Sequence, residues 1–259
     1  MNRIEKVFHN KKAFIPFVTA GDPTLSITKE LVICMEEAGA DLVELGIPFS
    51  DPVAEGPVIQ AADDRALGSG ATTDKIFAMV EELRKESNIP IVFMTYINPI
   101  YTYGVERFMV QCRKVQIDGI IVPDMPYEEK EELKPFCDQY GITLISMIAP
   151  TSRERIRRIA REAEGFLYCV SSLGVTGVRS ELGSEITEMI ALARESKNIP
   201  CAIGFGISTS EQAQAMTSLA DGIIVGSAIV KIVGEYGEAC VPYVRDFVRK
   251  MKEACSSIS

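Results

Sequence analysis

The chain has 259 residues, 47% of them hydrophobic and 24% charged, with a net charge of -9. This suits a globular enzyme with a sizeable core, and the acidic balance argues against nucleic acid or an anionic membrane surface as partner. The charged N-terminus MNRIEKVFHNKK lacks the apolar run of a signal peptide, and no stretch approaches the ~18 apolar residues of a membrane span.

Apolar, β-branched runs alternate with amphipathic helical patterns along the chain. The runs predict strands at 14–19 (FIPFVT), 42–46 (LVELG), 91–96 (IVFMTY), 119–122 (GIIV), 143–148 (TLISMI), 166–170 (FLYCV), 201–205 (CAIGF) and 222–225 (GIIV). Helices are predicted at 26–38, 57–68, 73–86, 104–114, 127–139, 152–163, 183–195, 208–217, 227–233 and 240–254, with one more at the N-terminus. Eight strands, each followed by a helical crossover and with no Ser- or Pro-rich linker, predict one α/β domain over residues 1–259. That domain is a (β/α)₈ TIM barrel rather than a doubly wound sheet. An internal echo agrees: Asn-Ile-Pro opens both the third and the seventh strand, and Asp-Gly-Ile-Ile-Val forms both the fourth and the eighth.

In such a barrel the active site lies at the C-terminal ends of the strands. The second of these ends is the most informative. Glu44 sits inside an apolar strand, where an ionised acid is rare unless paired or functional, and no Lys or Arg lies on a strand interior to pair with it. A loop stiffened by Pro48, Pro52 and Pro57 follows and carries a second acid, Glu55. Two carboxylates in unlike surroundings can divide general-acid and general-base work. Gly206, Gly226 and Ser227, at the last two strand ends, fit a phosphate cradle of backbone N–H groups at a helix N-terminus. The Gly-rich segment 171–183 reads as a lid over the substrate or as a solvated linker, and its Gly177 can add an N–H to the phosphate site. From spacing alone, Tyr96 reads equally as core packing, and Asp51 before Pro52 as a turn former.

The single histidine, His9, leaves no Ser-His-Asp triad or multi-histidine metal site, and the absence of lysine at a strand end argues against a Schiff-base aldolase. Seven scattered cysteines without a C-x-x-C pair read as reduced core thiols of a cytoplasmic protein.

The run LVELGIPFSDPVAEGP at 42–57 resembles the signature of the tryptophan synthase α-subunit family. FIPFVTAGDP at 14–23, MTYINP at 94–99, PDMP at 123–126, GVTG at 174–177, GFGI at 204–207 and GSAIV at 226–230 extend the likeness over nearly the whole chain. The resemblance implies a lyase without metal or Schiff base that cleaves indole-3-glycerol phosphate, by a retro-aldol reaction, to indole and glyceraldehyde 3-phosphate. It implies that Glu44 is the acid/base at indole C3 and that Glu55, where the family usually carries Asp, holds the indole N–H. It also implies that Phe17, Tyr96 and Tyr168 line the substrate pocket, and that Thr176 is the lid residue that meets the loop acid. Gly177, Gly206, Gly226 and Ser227 would bind phosphate, and Asp51, Pro52, Asp124 and Pro126 would face a β subunit in an α₂β₂ complex. Pyridoxal phosphate would belong to that partner, with no cofactor on this chain. A free-standing lyase of the same kind and a non-catalytic activator of the β subunit are the alternatives. Other phosphate-sugar barrels commonly use His, Lys or metal at strand ends, which are missing here.

Overall fold

The computed structural model describes residues 2–170, 179–204 and 206–256. Its strands are β1 (Ala13–Thr19), β2 (Val43–Gly46), β3 (Ile91–Met94), β4 (Gly119–Ile121), β5 (Thr143–Leu144), β6 (Ser146–Ile148), β7 (Leu167–Val170), β8 (Cys201–Gly204) and β9 (Gly222–Val225). All pair in parallel, in the order β5-β4-β3-β2-β1-β9-β8-β7-β6. The run 143–148 is one strand in sequence but bends at Ile145, so that β5 pairs with β4 and β6 with β7. The two edges of the sheet therefore belong to one segment, and the sheet closes there as a (β/α)₈ TIM barrel. Closure leaves no long edge exposed.

The helices are α1 (Arg3–Val7), α2 (Leu25–Glu37), α3 (Pro57–Gly68), α4 (Thr73–Leu83), α5 (Ile97–Tyr103), α6 (Val105–Lys114), α7 (Lys134–Tyr140), α8 (Arg153–Glu162), α9 (Arg179–Ser196), α10 (Ser210–Leu219), α11 (Ser227–Tyr236) and α12 (Val241–Ser256). The helices and strands depart from the periodicity reading at three places. The segment expected as one helix at 127–139 splits into a 3₁₀ turn, Tyr127–Glu132, and α7, because Pro135 removes a backbone donor at the junction. Strand β3 ends at Met94, two residues short of the expected end. The sequence 97–103 then forms α5, whose first N–H, from Ile97, is accepted by Asp124 Oδ1 at 3.0 Å. That cap comes from the next strand's loop and leaves no local sequence signature.

Strand alternation sorts side chains into two layers. On β2, Val43 and Leu45 pack outward against helices such as α2 and α4, while Leu42 points into the barrel. Inside lie Ile15, Leu42, Val92, Ile121, Ile145, Tyr168, Ala202 and Ile224. Helix α1 stoppers the N-terminal end: Ile4 and Val7 join that inner cluster, and Phe8 packs on Phe166 with ring centroids 5.3 Å apart. An Asn2–Glu5 capping box starts this short helix. All seven cysteines are free and buried. No helix among the described residues is long and apolar enough to cross a membrane.

Candidate active site

At the C-terminal ends of the strands a cavity of about 630 Å³ opens. Its walls are Phe17, Ile59, Met94, Met147, Tyr168, Val170 and Ile207, a mainly apolar slot suited to a flat aromatic ring. Two glycines shape it. A Cβ on Gly46 would come within 2.7 Å of the Phe17 ring, and one on Gly204 within 2.4 Å of Tyr168, so both aromatics pack directly against bare backbone.

Glu44 pairs in register with Phe17 of β1 and shares the inward face of β2 with Leu42. Its side chain faces the cavity, yet the residue is only 1% exposed and its Oε2 finds no hydrogen-bond partner among the described residues. Burial raises its pKa to about 8, and the nearby Glu55 charge adds to the rise. Glu44 is thus a proton-bearing acid at neutral pH, held against an apolar slot. The Glu44 charge and burial together push the Tyr168 hydroxyl well above its usual value, burial being the larger cause.

Glu55 and its neighbours Ala54 and Gly56 also line the cavity. The loop that carries Glu55 is tied down in two places. The Ala54 N–H donates to the Tyr96 hydroxyl at 2.9 Å, and Gln60 Nε2 donates to the Glu55 carbonyl at 2.8 Å. Tyr96 is only 2% exposed and packs on Phe49 with centroids 5.3 Å apart. It stands behind the loop as a support, and the cavity wall runs through Ala54 in front of it. Burial first, with a smaller contribution from the Glu55 charge, raises the Tyr96 hydroxyl to about 12, so it stays a neutral hydrogen-bonding group.

The far wall holds Gly204, Gly206, Ser208, Gly226, Ser227 and Ala228. Helix α11 begins here with Gly226 as N-cap and no side-chain cap. The first N–H groups of a helix lack intrahelical acceptors and carry the positive end of its dipole, which suits this wall to an anion. Gly206 contributes a left-handed φ of 44° with open space around its α-carbon, which favours glycine and leaves room beside the backbone. Thr176 and Gly177 lie outside the described residues. Of the segment read as a lid, residues 179–183 open α9 and the remainder lies outside the description.

Three further acids near the strand ends are placed differently. Asp22, 2% exposed, is held bidentately by Arg65 at 2.8 and 2.7 Å and serves the fold. Asp124 caps α5 as described above. Asp51 is exposed beside Pro52 and accepts from the Ser50 hydroxyl at 2.5 Å, and with exposed Pro126 it lies on the outer surface rather than in the cavity. Val53, 81% exposed, projects from the same loop. Asp63, on α3, was missed in the sequence. It is 5% exposed and makes carboxyl-to-carboxyl contact with Glu55. Its signal was spacing: four residues after Ile59 and three before Ala66, it falls on the buried face of α3. Among the described residues no group of three or more His, Cys, Asp or Glu side chains is arranged to hold a metal ion.

A closed parallel barrel with a buried acid facing its cavity and a glycine-lined helix N-terminus on the same cavity fits one class: barrel enzymes that work by acid–base chemistry on a phosphorylated substrate. Comparison with known proteins narrows the class. Residues 5–256 match the family model described as "Tryptophan synthase alpha chain". A tryptophan synthase alpha chain of Halalkalibacterium halodurans is 51% identical over 237 residues, covering 91% of this chain and 89% of the relative. The solved tryptophan synthase subunit alpha of Legionella pneumophila superposes with a TM-score of 0.90 at 36% identity, covering 100% of both chains. A structure of the tryptophan synthase a2b2 complex from Pyrococcus furiosus gives a TM-score of 0.86 at 37% identity, covering 94% of this chain and 99% of that one. The chain belongs to the tryptophan synthase alpha chain family.

Proposed function

We propose that this chain is the indole-producing lyase of a tryptophan synthase, cleaving indole-3-glycerol phosphate to indole and glyceraldehyde 3-phosphate. The observation that carries the mechanism is Glu44, buried at 1% exposure, its Oε2 without a hydrogen-bond partner among the described residues, and facing the cavity with its pKa raised to about 8. Protonated, it delivers a proton to indole C3 and turns the ring into an electron sink. Glu55 takes a hydrogen bond from the indole N–H and offsets the positive charge that develops there. The Glu44 carboxylate then assists removal of the proton from the glycerol hydroxyl next to the ring. The bond between C3 and the glycerol carbon breaks, its electron pair restores the indole, and the hydroxyl carbon becomes the aldehyde. Phe17 and Tyr168 hold the ring, while Gly206, Gly226 and Ser227, with Gly177 and the lid residue Thr176, hold the phosphate end and close the site. The whole sequence 1–259 acts as one barrel domain.

The chemistry needs no cofactor on this chain, since proton transfers alone complete it. Pyridoxal phosphate belongs to the β subunit, which takes the indole within an α₂β₂ complex. The surface around Asp51, Pro52, Val53, Asp124 and Pro126 faces that partner. The seven buried free thiols suit a reducing cytoplasm.

The purified chain is to be incubated with indole-3-glycerol phosphate, with and without a β subunit, and indole release followed. Slow release alone, accelerated by β, is expected. Fast release unaltered by β would make it a free-standing lyase, and no release in either case would reduce it to an activator. Within the site, Glu55→Ala should cut turnover by about 10²-fold, whereas Glu55→Asp, one methylene shorter, should retain most of it. Tolerance of alanine would make Glu55 structural.

A further inference from the structure

Asp63 is a buried acid that has no part in the chemistry above, and no cation pairs with it among the described residues. It lies on the inward face of α3 and takes the Phe49 backbone N–H, which ties α3 to the start of the loop after β2. Its carboxyl also meets the carboxyl of Glu55 at the end of that loop. Glu55 buries Oε2, and among the described residues no amide or hydroxyl reaches that atom. Two carboxyl groups in contact, one of them buried and the other with a buried oxygen, disfavour double ionisation, and a carboxyl donates only when it carries the proton.

We propose that Asp63 is a positioning residue for Glu55: the two side chains share one proton, and through it Asp63 holds the loop acid at the cavity wall. The proton resides mainly on Asp63, whose O–H donates to the Glu55 carboxylate and leaves that carboxylate anionic for the indole N–H. One glutamate methylene is thereby taken up by a tether from α3, which fixes where the longer side chain ends. The inference rests on the role given to Glu55 above.

The surroundings agree. Burial, then the Glu55 charge and the hydrogen bond to Glu55, raise the Asp63 pKa to about 8, against a lowering by the Phe49 N–H, while Asp64 on the same helix adds to the rise. Burial raises Glu55 as well, and the hydrogen bond from Asp63 opposes that rise. From the neighbouring elements, Glu44 of β2 and the neutral Tyr96 at the start of α5 are the other titratable groups that face the pair among the described residues. The two acids titrate as a unit that holds one proton through neutrality.

Asp63→Asn separates this role from a merely structural one. The asparagine amide still donates to Glu55, and its carbonyl still accepts the Phe49 N–H, but the position no longer titrates. Asp63→Ala should lower kcat/KM about tenfold, and Asp63→Asn should restore most of it. Above pH 8 the wild-type kcat/KM should fall more steeply than about tenfold per pH unit, because Glu44 and the pair both lose protons, whereas Asp63→Asn should fall only about tenfold per unit. Superimposable profiles for wild type and Asp63→Asn, or an alanine variant with full activity, would overturn the proposal. Carbon-13 titration of the carboxyl groups in the unaltered chain reads the shared proton without any turnover. One carboxyl of the pair still protonated at pH 7 is expected, and two ionised carboxyls overturn the pair while leaving the role of Glu55 intact. If Glu55→Ala keeps its turnover, the role of Glu55 falls, and the positioning role of Asp63 falls with it, whatever the spectra show.

Discussion

Acids occur at both ends of this barrel, and those that line the cavity are treated oppositely to those at the N-terminal end. At the N-terminal end, Asp41, Asp118 and Asp221 stand just before β2, β4 and β9. Each accepts an N–H from the start of the preceding strand: Phe14 onto Asp41 at 2.8 Å, Ile91 onto Asp118 at 2.9 Å, and Cys201 onto Asp221 at 2.9 Å. Each also has cations, Lys11 and Lys252 for Asp41, Arg3 and Arg84 for Asp118, and Arg194 for Asp221. In the cavity, Glu44 Oε2 meets no hydrogen-bond donor and Glu44 pairs with no cation among the described residues, and Glu55 meets another acid. Satisfied acids staple strands together. Unsatisfied acids hold protons that chemistry can use, and the fold carries their cost. The repeated Asp-Gly-Ile-Ile-Val of the fourth and eighth strands therefore encodes a staple, and the single Glu44 encodes the reaction.

The largest effect that would break this contrast is on Glu44. Glu44→Gln keeps the shape and removes the transferable proton, so turnover should fall by about 10²–10⁴-fold. The same change should stabilise the protein. A carboxyl with its folded pKa raised from 4.5 to about 8 contributes stability that is fully present below pH 4.5 and lost as pH rises through about 8. At pH 7 the glutamine variant should therefore unfold at higher urea, by on the order of 3 kcal/mol, with a flatter dependence of stability on pH from 5 to 8. A variant no more stable than wild type would show that Glu44 is paired after all.

A staple should behave in the reverse way. Asp118→Ala strands the buried Arg84, whose pKa burial already lowers to about 10, and frees the Ile91 N–H. It should cost about 3 kcal/mol in urea unfolding while turnover per folded molecule stays unchanged. A smaller effect is expected at Tyr96. Tyr96→Phe removes the acceptor of the Ala54 N–H, and KM should rise a few-fold with little loss of stability, since one hydrogen bond on a loop contributes about 1 kcal/mol.

How much of this was legible in the sequence follows from what kind of interaction carries it. The strands were visible because β-branched runs and alternation are local, and Glu44 was visible because a charge interrupting an apolar strand is a local anomaly. The phosphate wall could be read from glycines at known barrel positions. Asp63 was not, because Asp63-Asp64 on a helix reads as a solvated pair until the helix is docked and one of the two faces inward. Tyr96 was placed at the site but not in its posture, since its partner Ala54 lies 42 residues away. Helix α5 was missed for the same reason, its cap coming from Asp124. Where a residue answers to its own neighbours the sequence speaks, and where it answers to another strand's loop it does not.

The contrast rests on one proton. Single-turnover cleavage of indole-3-glycerol phosphate by Glu44→Gln, in complex with a β subunit and with its fold verified by unfolding, measures it most directly. Indole release slowed by about 10²-fold or more in a protein at least as stable as wild type is the expected result. Release within tenfold of wild type would contradict it, and the acid that serves the reaction would have to be sought elsewhere in the cavity.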